Sequence, residues 1–407
     1  MSRRQRYRFG SIVFGSPVFG SAVAVAAAVL AAAACSAPGA SSSSPPAASG
    51  TAATAAGSTA GGPIKIAVVD AQSGADSDLG QFEWRGVSLA VNQVNAAGGV
   101  DGRKIALTLY DDQGDPTVGT ELARKIASDG DIAMFGTAES AVTIAMAPIL
   151  KTEQIPNITS GQSVGLIALH SPYLFLNGPT GLTYDSTLAK YLVSAKGYKK
   201  IALLTNNDSY GAGEDSSFTS SLKALGVTPV AAKVVPADQT NMTPELTSIR
   251  SADPQVLFIG AEEAQSGLIV KQARALGMTV VFAEGAPAGT PLFLSTAGAA
   301  NANGTIVSSP YLGNDASPAA QTFAAAYTAA YGSAPELHGA KAYDGAQVMI
   351  TALKACNACT GLALANAIRA VHYSGLLGTF AYDSSGVGIF ATAIGTIING
   401  VIKPASS

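Results

Sequence analysis

From residue 64 onward the chain alternates short β-branched runs with longer stretches of helical period, and that order admits few folds. The runs 64–69, 105–110 and 132–135 are separated by segments whose apolar residues recur every three or four positions. In the first segment Trp84, Val87, Val91 and Val94 share one face ahead of Gly98-Gly99, a register that predicts core packing for Trp84. In the second, Val118, Leu122 and Ile126 precede Gly130, the kind of residue that readily ends a helix. A second series opens near Leu182, with runs at 201–205, 227–235, 256–259 and 280–282. Strand–helix–strand order predicts a parallel sheet covered by helices on both faces, and 407 residues suffice for two such lobes. Ligands reach these sheets in the crevice beyond the carboxyl ends of the strands. Two facing lobes would clasp one there.

The first 63 residues follow different rules. Arg3, Arg4, Arg6 and Arg8 precede an almost unbroken small apolar stretch, 12–34, which ends in Ala32-Ala33-Ala34-Cys35. That is the order of an export signal with its cleavage site, so residues 1–34 are expected to be removed. About 20 apolar residues also span a bilayer, so an uncleaved anchor is the competing reading. Gly15, Pro17, Gly20 and the weak lipophilicity of alanine weigh against it. Small residues directly before Cys35 resemble a bacterial lipobox, in which the cysteine takes a diacylglycerol, although Ala32 stands where Leu, Val or Ile is usual. The 28 residues 36–63 are nearly all Ser, Ala, Gly, Pro and Thr. They are expected to form a flexible tether of about 30 Å after the anchor.

Charge excludes one class of partner. Removing the four leader arginines from 24 basic residues leaves 20 against 27 acidic ones, with no Lys/Arg cluster in the remainder. The footprint that neutralises phosphates is missing, so no nucleic-acid partner is expected.

Several segments resemble the leucine/isoleucine/valine-binding protein family. They are Ile64-Lys65-Ile66-Ala67-Val68-Val69, Gly86 through Val94-Asn95-Ala96-Ala97-Gly98-Gly99-Val100-Asp101-Gly102, and Tyr110-Asp111-Asp112. Asn207-Asp208-Ser209-Tyr210-Gly211, Gln272 to Gly277, Glu284-Gly285 and Tyr343-Asp344-Gly345-Ala346 extend the likeness over about 62–402. The resemblance implies an α/β fold of two Rossmann-like lobes with parallel sheets joined by a three-stranded hinge, the type I periplasmic binding fold. It places 64–181 and 311–376 in lobe 1, and 182–310 and 377–402 in lobe 2. The implied protein is a monomeric lipoprotein on the outer face of the cell membrane. It would bind an amino acid, or a related small amine or amide, for an ABC permease, with no cofactor and no metal. A sensor reporting to a receptor is the alternative that the same fold allows.

The resemblance also implies ligand groups. Ser140, in Gly136-Thr137-Ala138-Glu139-Ser140, matches the helix-start serine that holds the ligand carboxylate, where free N–H groups attract anions. As a plain helix cap it would need no ligand. Gly161 and Ser163 match the backbone and hydroxyl contacts after the next strand, Tyr210 the aromatic ring that closes over the ligand, and Glu284 the carboxylate facing its ammonium. Glu262 stands where the family often has tyrosine and Leu79 where it often has an aromatic residue, which implies a more acidic pocket. Two carboxylates would favour extra amino, guanidino or amide donors.

Three motifs tempt toward chemistry. Gly161-Gln162-Ser163-Val164-Gly165 spells G-x-S-x-G, the nucleophile elbow of a serine hydrolase, which would need Asp and His downstream; His338 and His372 are the candidates. An exported hydrolase is therefore the third reading. Cys356-Asn357-Ala358-Cys359 lacks the further ligands of a zinc site, and export to an oxidising space favours a small disulfide. Asp111-Asp112 is expected to shape the following loop and the helix start at Asp115-Pro116.

Overall fold

The computed structural model describes residues 61–313 and 317–405. The leader, Cys35 and the tether up to residue 60 lie outside the described residues. The first half runs β1 (Ile64–Asp70), α1 (Ser77–Ala96), β2 (Ile105–Asp111), α2 (Pro116–Asp129), β3 (Met134–Phe135), α3 (Ser140–Thr152), β4 (Asn157–Thr159) and β5 (Leu174–Leu176). The second half holds α4 (Gly181–Lys190), β6 (Ile201–Asn206), α5 (Ser209–Ala224), β7 (Ala231–Val235), α6 (Thr243–Ser251) and β8 (Val256–Gly260). It continues with α7 (Glu263–Ala275), β9 (Val281–Glu284), α8 (Pro291–Ala297), α9 (Ala299–Ala302) and β10 (Ile306–Ser309). The chain then adds α10 (Pro318–Tyr331), α11 (Leu337–Ala355), α12 (Gly361–Arg369), the hairpin β11 (His372–Gly375) and β12 (Gly378–Ala381), and a closing pair, β13 (Ala393–Ile398) and β14 (Val401–Pro404).

Strand order is β2-β1-β3-β4-β5 in one sheet and β14-β13-β10-β9-β8-β6-β7 in the other. Read from β7 to β10, the second sheet repeats the order of the first, and all of these pairings are parallel. The central strands are buried on both faces. Ile64, Ile66 and Val68 of β1 face a core shared with Val87, Val91, Ala346 and Met349, while Ala67 and Val69 face Ile126, Val142 and Met146. In the second sheet Leu257 and Ile259 divide from Val256 and Phe258 in the same way. Each such side chain contributes about 1.5–3 kcal/mol by burial. That is why these runs read as continuous apolar stretches rather than alternations.

Local signals set the helix ends. Asp115 accepts from Thr117 N at 2.6 Å, Pro116 opens α2, and Gly130 closes it at φ 80°. The carboxylate of Asp111 accepts from the N–H groups of Gln72, Ser73 and Gln113, so it shapes its loop as expected. No described helix is long and apolar enough to cross a membrane.

The chain passes between the sheets after β5, after β10 and ahead of β13. The last passage falls later than the resemblance placed it, at 377. Leu377, Phe380, Tyr382 and Phe390 join the first core. There Tyr382 packs on Phe175 with centroids 5.0 Å apart, and Val387 bridges to Leu176. Burying four large side chains holds 377–390 to the first sheet. Cys356 and Cys359 form a disulfide at the end of α11.

Helix α1 packs closely along α11. A Cβ on Gly86 would lie 2.2 Å from the Gly339 carbonyl oxygen. Alanine would gain up to about 1 kcal/mol of helix propensity, but overlap with backbone costs roughly 1–3 kcal/mol. Gly86→Ala is therefore expected to lower the Tm in a thermal melt; an unchanged or raised Tm would refute this account of the α1–α11 contact.

Candidate functional site

The carboxyl ends of both sheets supply the candidate residues. In the first half, Asp70 ends β1, Glu139 and Ser140 open α3, and Ser160 to Ser163 follow β4. Ser140 is buried, and its Oγ accepts from Gln162 N and Ser163 N at 3.2 Å each, which draws Gly161 and Ser163 to the start of α3. In the second half Asp208 caps α5 by accepting from Gly211 N at 2.7 Å. Tyr210 lies buried in the first turn of that helix, one turn ahead of the buried Glu214. Glu262 and Glu263 stand at the start of α7, and Glu284 ends β9 fully buried.

Side-chain contacts span the halves. Ser163 Oγ donates to Ser209 O at 2.6 Å. His338 Nε2 lies 3.9 Å from Glu263, while its Nδ1 sits 3.0 Å from Glu336. Beside them Lys341, fully buried, donates to Ser160 O at 2.9 Å. Ser140, Gly161 and Ser163 are thus brought against the start of α5, where Tyr210 lies; Glu262 lines the neighbouring cavity, and Glu284 sits among second-half residues, near Ser266, Glu263 and Glu214. Asp76, Glu139, Asp208, Glu262 and Gln265 line a cavity of about 310 Å³ at this junction.

The junction is strongly acidic. Burial pushes the carboxyls of Asp70, Glu139, Glu262 and Glu284 well above their usual range. Neighbouring acids add to the shift: Glu83, Asp112 and Glu139 around Asp70, and Asp208, Glu263 and Asp76 around Glu262. Burial raises Asp112 to about 6, Glu263 to about 7 and Glu214 to about 8. It lowers Lys341 to about 8, which leaves that side chain cationic at pH 7. Burial also works against charge on His338, but Glu336 and Glu263 more than offset it. Both oxygens of Glu139 and of Glu284, and Oδ2 of Asp70 and Asp112, are buried without a hydrogen-bond partner. A packed interior rarely leaves such acceptors unpaired.

A family model for periplasmic binding proteins matches residues 63–399. The chain belongs to that family. The Leu/Ile/Val-binding protein of Citrobacter freundii is 30% identical over 250 residues, 61% of this chain and 67% of that protein. The substrate-binding protein LivJ of Streptococcus pneumoniae, solved with isoleucine, superposes with a TM-score of 0.79 at 25% identity, covering 84% of this chain and 99% of that one. A solute-binding protein of Rhodopseudomonas palustris, solved with benzoate, has the same fold at a TM-score of 0.79 and 20% identity, covering 85% and 96%.

A periplasmic binding protein is a solute-binding protein, not an enzyme, and the hydrolase reading of Ser163 falls with that membership. Locally, Ser163 Oγ accepts from Gly165 N and caps a 3₁₀ turn, 164–169. Its proton goes to Ser209 O, and no sharp strand-to-helix elbow exposes the hydroxyl. Sequence reading missed Asp70, Glu83, Glu139, Glu214, Glu263 and Lys341, and met His338 only as a hydrolase candidate. Glu139 and Glu263 adjoin residues that were found, and Glu214 follows Tyr210 by one turn. His338 and Lys341 sit in α11, far along the chain, with no local signal.

These shifts fix the pH response of the ligand-free protein. A carboxyl whose folded pKa exceeds its unfolded value near 4 holds an extra proton when folded, so stability is lost as pH rises through the folded value. With Asp112 at about 6, Glu263 at about 7 and Glu214 at about 8, Tm is expected to fall between about pH 5 and pH 8. A flat or rising Tm across that window would contradict the assignment.

Proposed function

We propose that this chain is the extracytoplasmic solute-binding component of an ABC importer, held to the outer face of the cell membrane by lipidated Cys35 and the tether that follows. Its ligand is an amino acid of the branched-chain type or a related small polar amine or amide. The observation that carries this reading is Glu284: it is 0% exposed, its charged neighbours Glu263 and Glu214 are acids, and no Lys, Arg or His among the described residues is paired with it. A dry, unpaired carboxylate at the end of a central strand asks for a cation, and the ligand's ammonium supplies one. The relatives named Leu/Ile/Val-binding protein, and LivJ with its isoleucine, support an amino acid.

The opposite end of the ligand meets Ser140. That Oγ already accepts two N–H groups, so its own proton is left to donate to an anion beside the start of α3. Gly161 and Ser163 flank it. Tyr210 comes in with the second half as the lobes close, and the Ser163–Ser209 and His338–Glu263 contacts hold the closed form. Closure makes the complex recognisable to a permease. No chemical step is involved.

In a thermal-shift screen of the purified protein against amino acids, amides, ureas, polyamines and sugars, one amino-acid-like compound is expected to raise the Tm. At a hundredfold excess over Kd the gain is about 2.7 kcal/mol. Glu284→Gln is expected to weaken binding by roughly 2–5 kcal/mol, since it removes one partner of a buried ion pair. A screen without any such compound, or unaltered binding by the variant, would sink the reading. Separately, Cys35→Ala is expected to move the protein from the membrane fraction to the soluble one; retention on the membrane would point to the uncleaved apolar segment as anchor.

A further inference from the structure

The cavity between the halves takes in Glu139 and Ala141, on either side of the Ser140 assigned to the ligand's anionic end, and its chemistry is unlike that of Ser140. Asp76 and Glu139 come to it from the first half, Asp208 and Glu262 from the second. No Lys, Arg or His is among its described lining residues. Its side-chain amides have no proton left to offer. Asn206 Nδ2 donates to Asp208 Oδ2 and to Gln265 Oε1, and Gln265 Nε2 donates to Pro236 O and Gln239 O. The described lining therefore offers four carboxyl side chains and no fixed cation. A second observation points the same way. Glu139 is 7% exposed, lines the cavity, and has no partner for either oxygen. Behind it, Oδ2 of Asp112 and of Asp70 are likewise unpartnered.

An anionic group brought to Ser140 would stand next to Glu139, whose charge opposes the pull of the helix start. A purely apolar ligand side chain would leave these carboxylates buried and unpaired. A metal ion fits poorly, because no group of three or more His, Cys, Asp or Glu among the described residues has the geometry to hold one. We propose that this cavity is a subsite for a second cationic group, an ammonium or guanidinium at the far end of the ligand, so that the solute is a dibasic amino acid or a diamine. Glu139 and Glu262 hold that group from opposite halves, which makes the second charge a contact across the closing cleft. This rests on the solute-binding reading above and names the ligand class within it.

Titration calorimetry on the purified full chain tests it with lysine, arginine, putrescine and agmatine against the neutral counterparts norleucine, citrulline and leucine, and with calcium chloride alone. A dibasic probe is expected to bind on the order of tenfold or more tighter than its neutral counterpart, because the latter leaves the acceptors unpaired. Lysine ahead of putrescine identifies an amino acid; the reverse identifies a diamine. Glu139→Gln is expected to erase the preference and at the same time raise the Tm of the ligand-free protein, since burial disfavours ionisation at this position and the amide, of similar shape, has no charge to lose on folding. A merely structural glutamate would lower the Tm. Should that variant fail to fold, Glu262→Gln, at a half-buried position, gives the same comparison of preferences. Leucine or norleucine binding as tightly as lysine, or calcium alone binding while the amines do not, overturns the subsite; of these, tight leucine binding leaves the amino-acid reading intact. Failure of every amino acid and amine overturns the solute class itself.

Discussion

Burying negative charge between two sheets is the constraint on which this molecule turns. Eleven carboxylic side chains are buried among the described residues, against one lysine and one histidine. Most of the acids cluster where the halves meet. Lys341 is the fixed counter-ion of that region: it is tied to Ser160 O and acts on Glu83, Glu336 and Glu263. A single cation cannot neutralise so many carboxylates, so part of the compensation must come from protons or from a bound solute. This is how an interior of high electrostatic cost becomes a receptor for cations.

The fold makes that concentration achievable. Parallel strands all end on one side, and the order β2-β1-β3-β4-β5 is repeated by β7-β6-β8-β9-β10. Each strand needs apolar residues only along its length; the residue just past its end is free to be polar. Asp70, Ser140, Ser163, Asp208, Glu262 and Glu284 all occupy such positions, at or just beyond strand ends. The apolar cores on both faces of each sheet hold the strand ends in place while the acids repel one another. Not every matched acid belongs to the site. Asp344, in the Tyr343 to Ala346 match, accepts from the N–H groups of Leu376 and Leu377 and anchors the β11–β12 hairpin.

Much of this was legible in the chain. The runs at 64–69, 201–205 and 256–259 become β1, β6 and β8, because strands buried on both faces must be continuously apolar, and 105–110 becomes β2, a partly exposed strand beside β1. Asp115-Pro116 and Gly130 bound α2 through local backbone chemistry. The C-x-x-C pair forms its disulfide, for which two residues of separation suffice. The run at 227–235 shrinks to β7, Ala231–Val235, since Pro229 lacks an N–H for a sheet ladder. The antiparallel edge formed by β13 and β14, and the capture of 377–390 by the first core, gave no signal. Both are decided by partners remote in sequence.

The sequence by itself therefore determined the α/β class and the doubled strand–helix series, because period and caps are local properties. Only the tertiary structure decided that Glu139 of one half and Glu262 of the other share one cavity. It alone brought Lys341 and His338 of α11 to the acids of β1 and α7, and spent the hydroxyl proton of Ser163 on a carbonyl across the cleft. The reason is physical: charge burial, pKa and cavity chemistry are set by what surrounds a group in space, and across this cleft the neighbours lie tens to hundreds of residues apart in the chain.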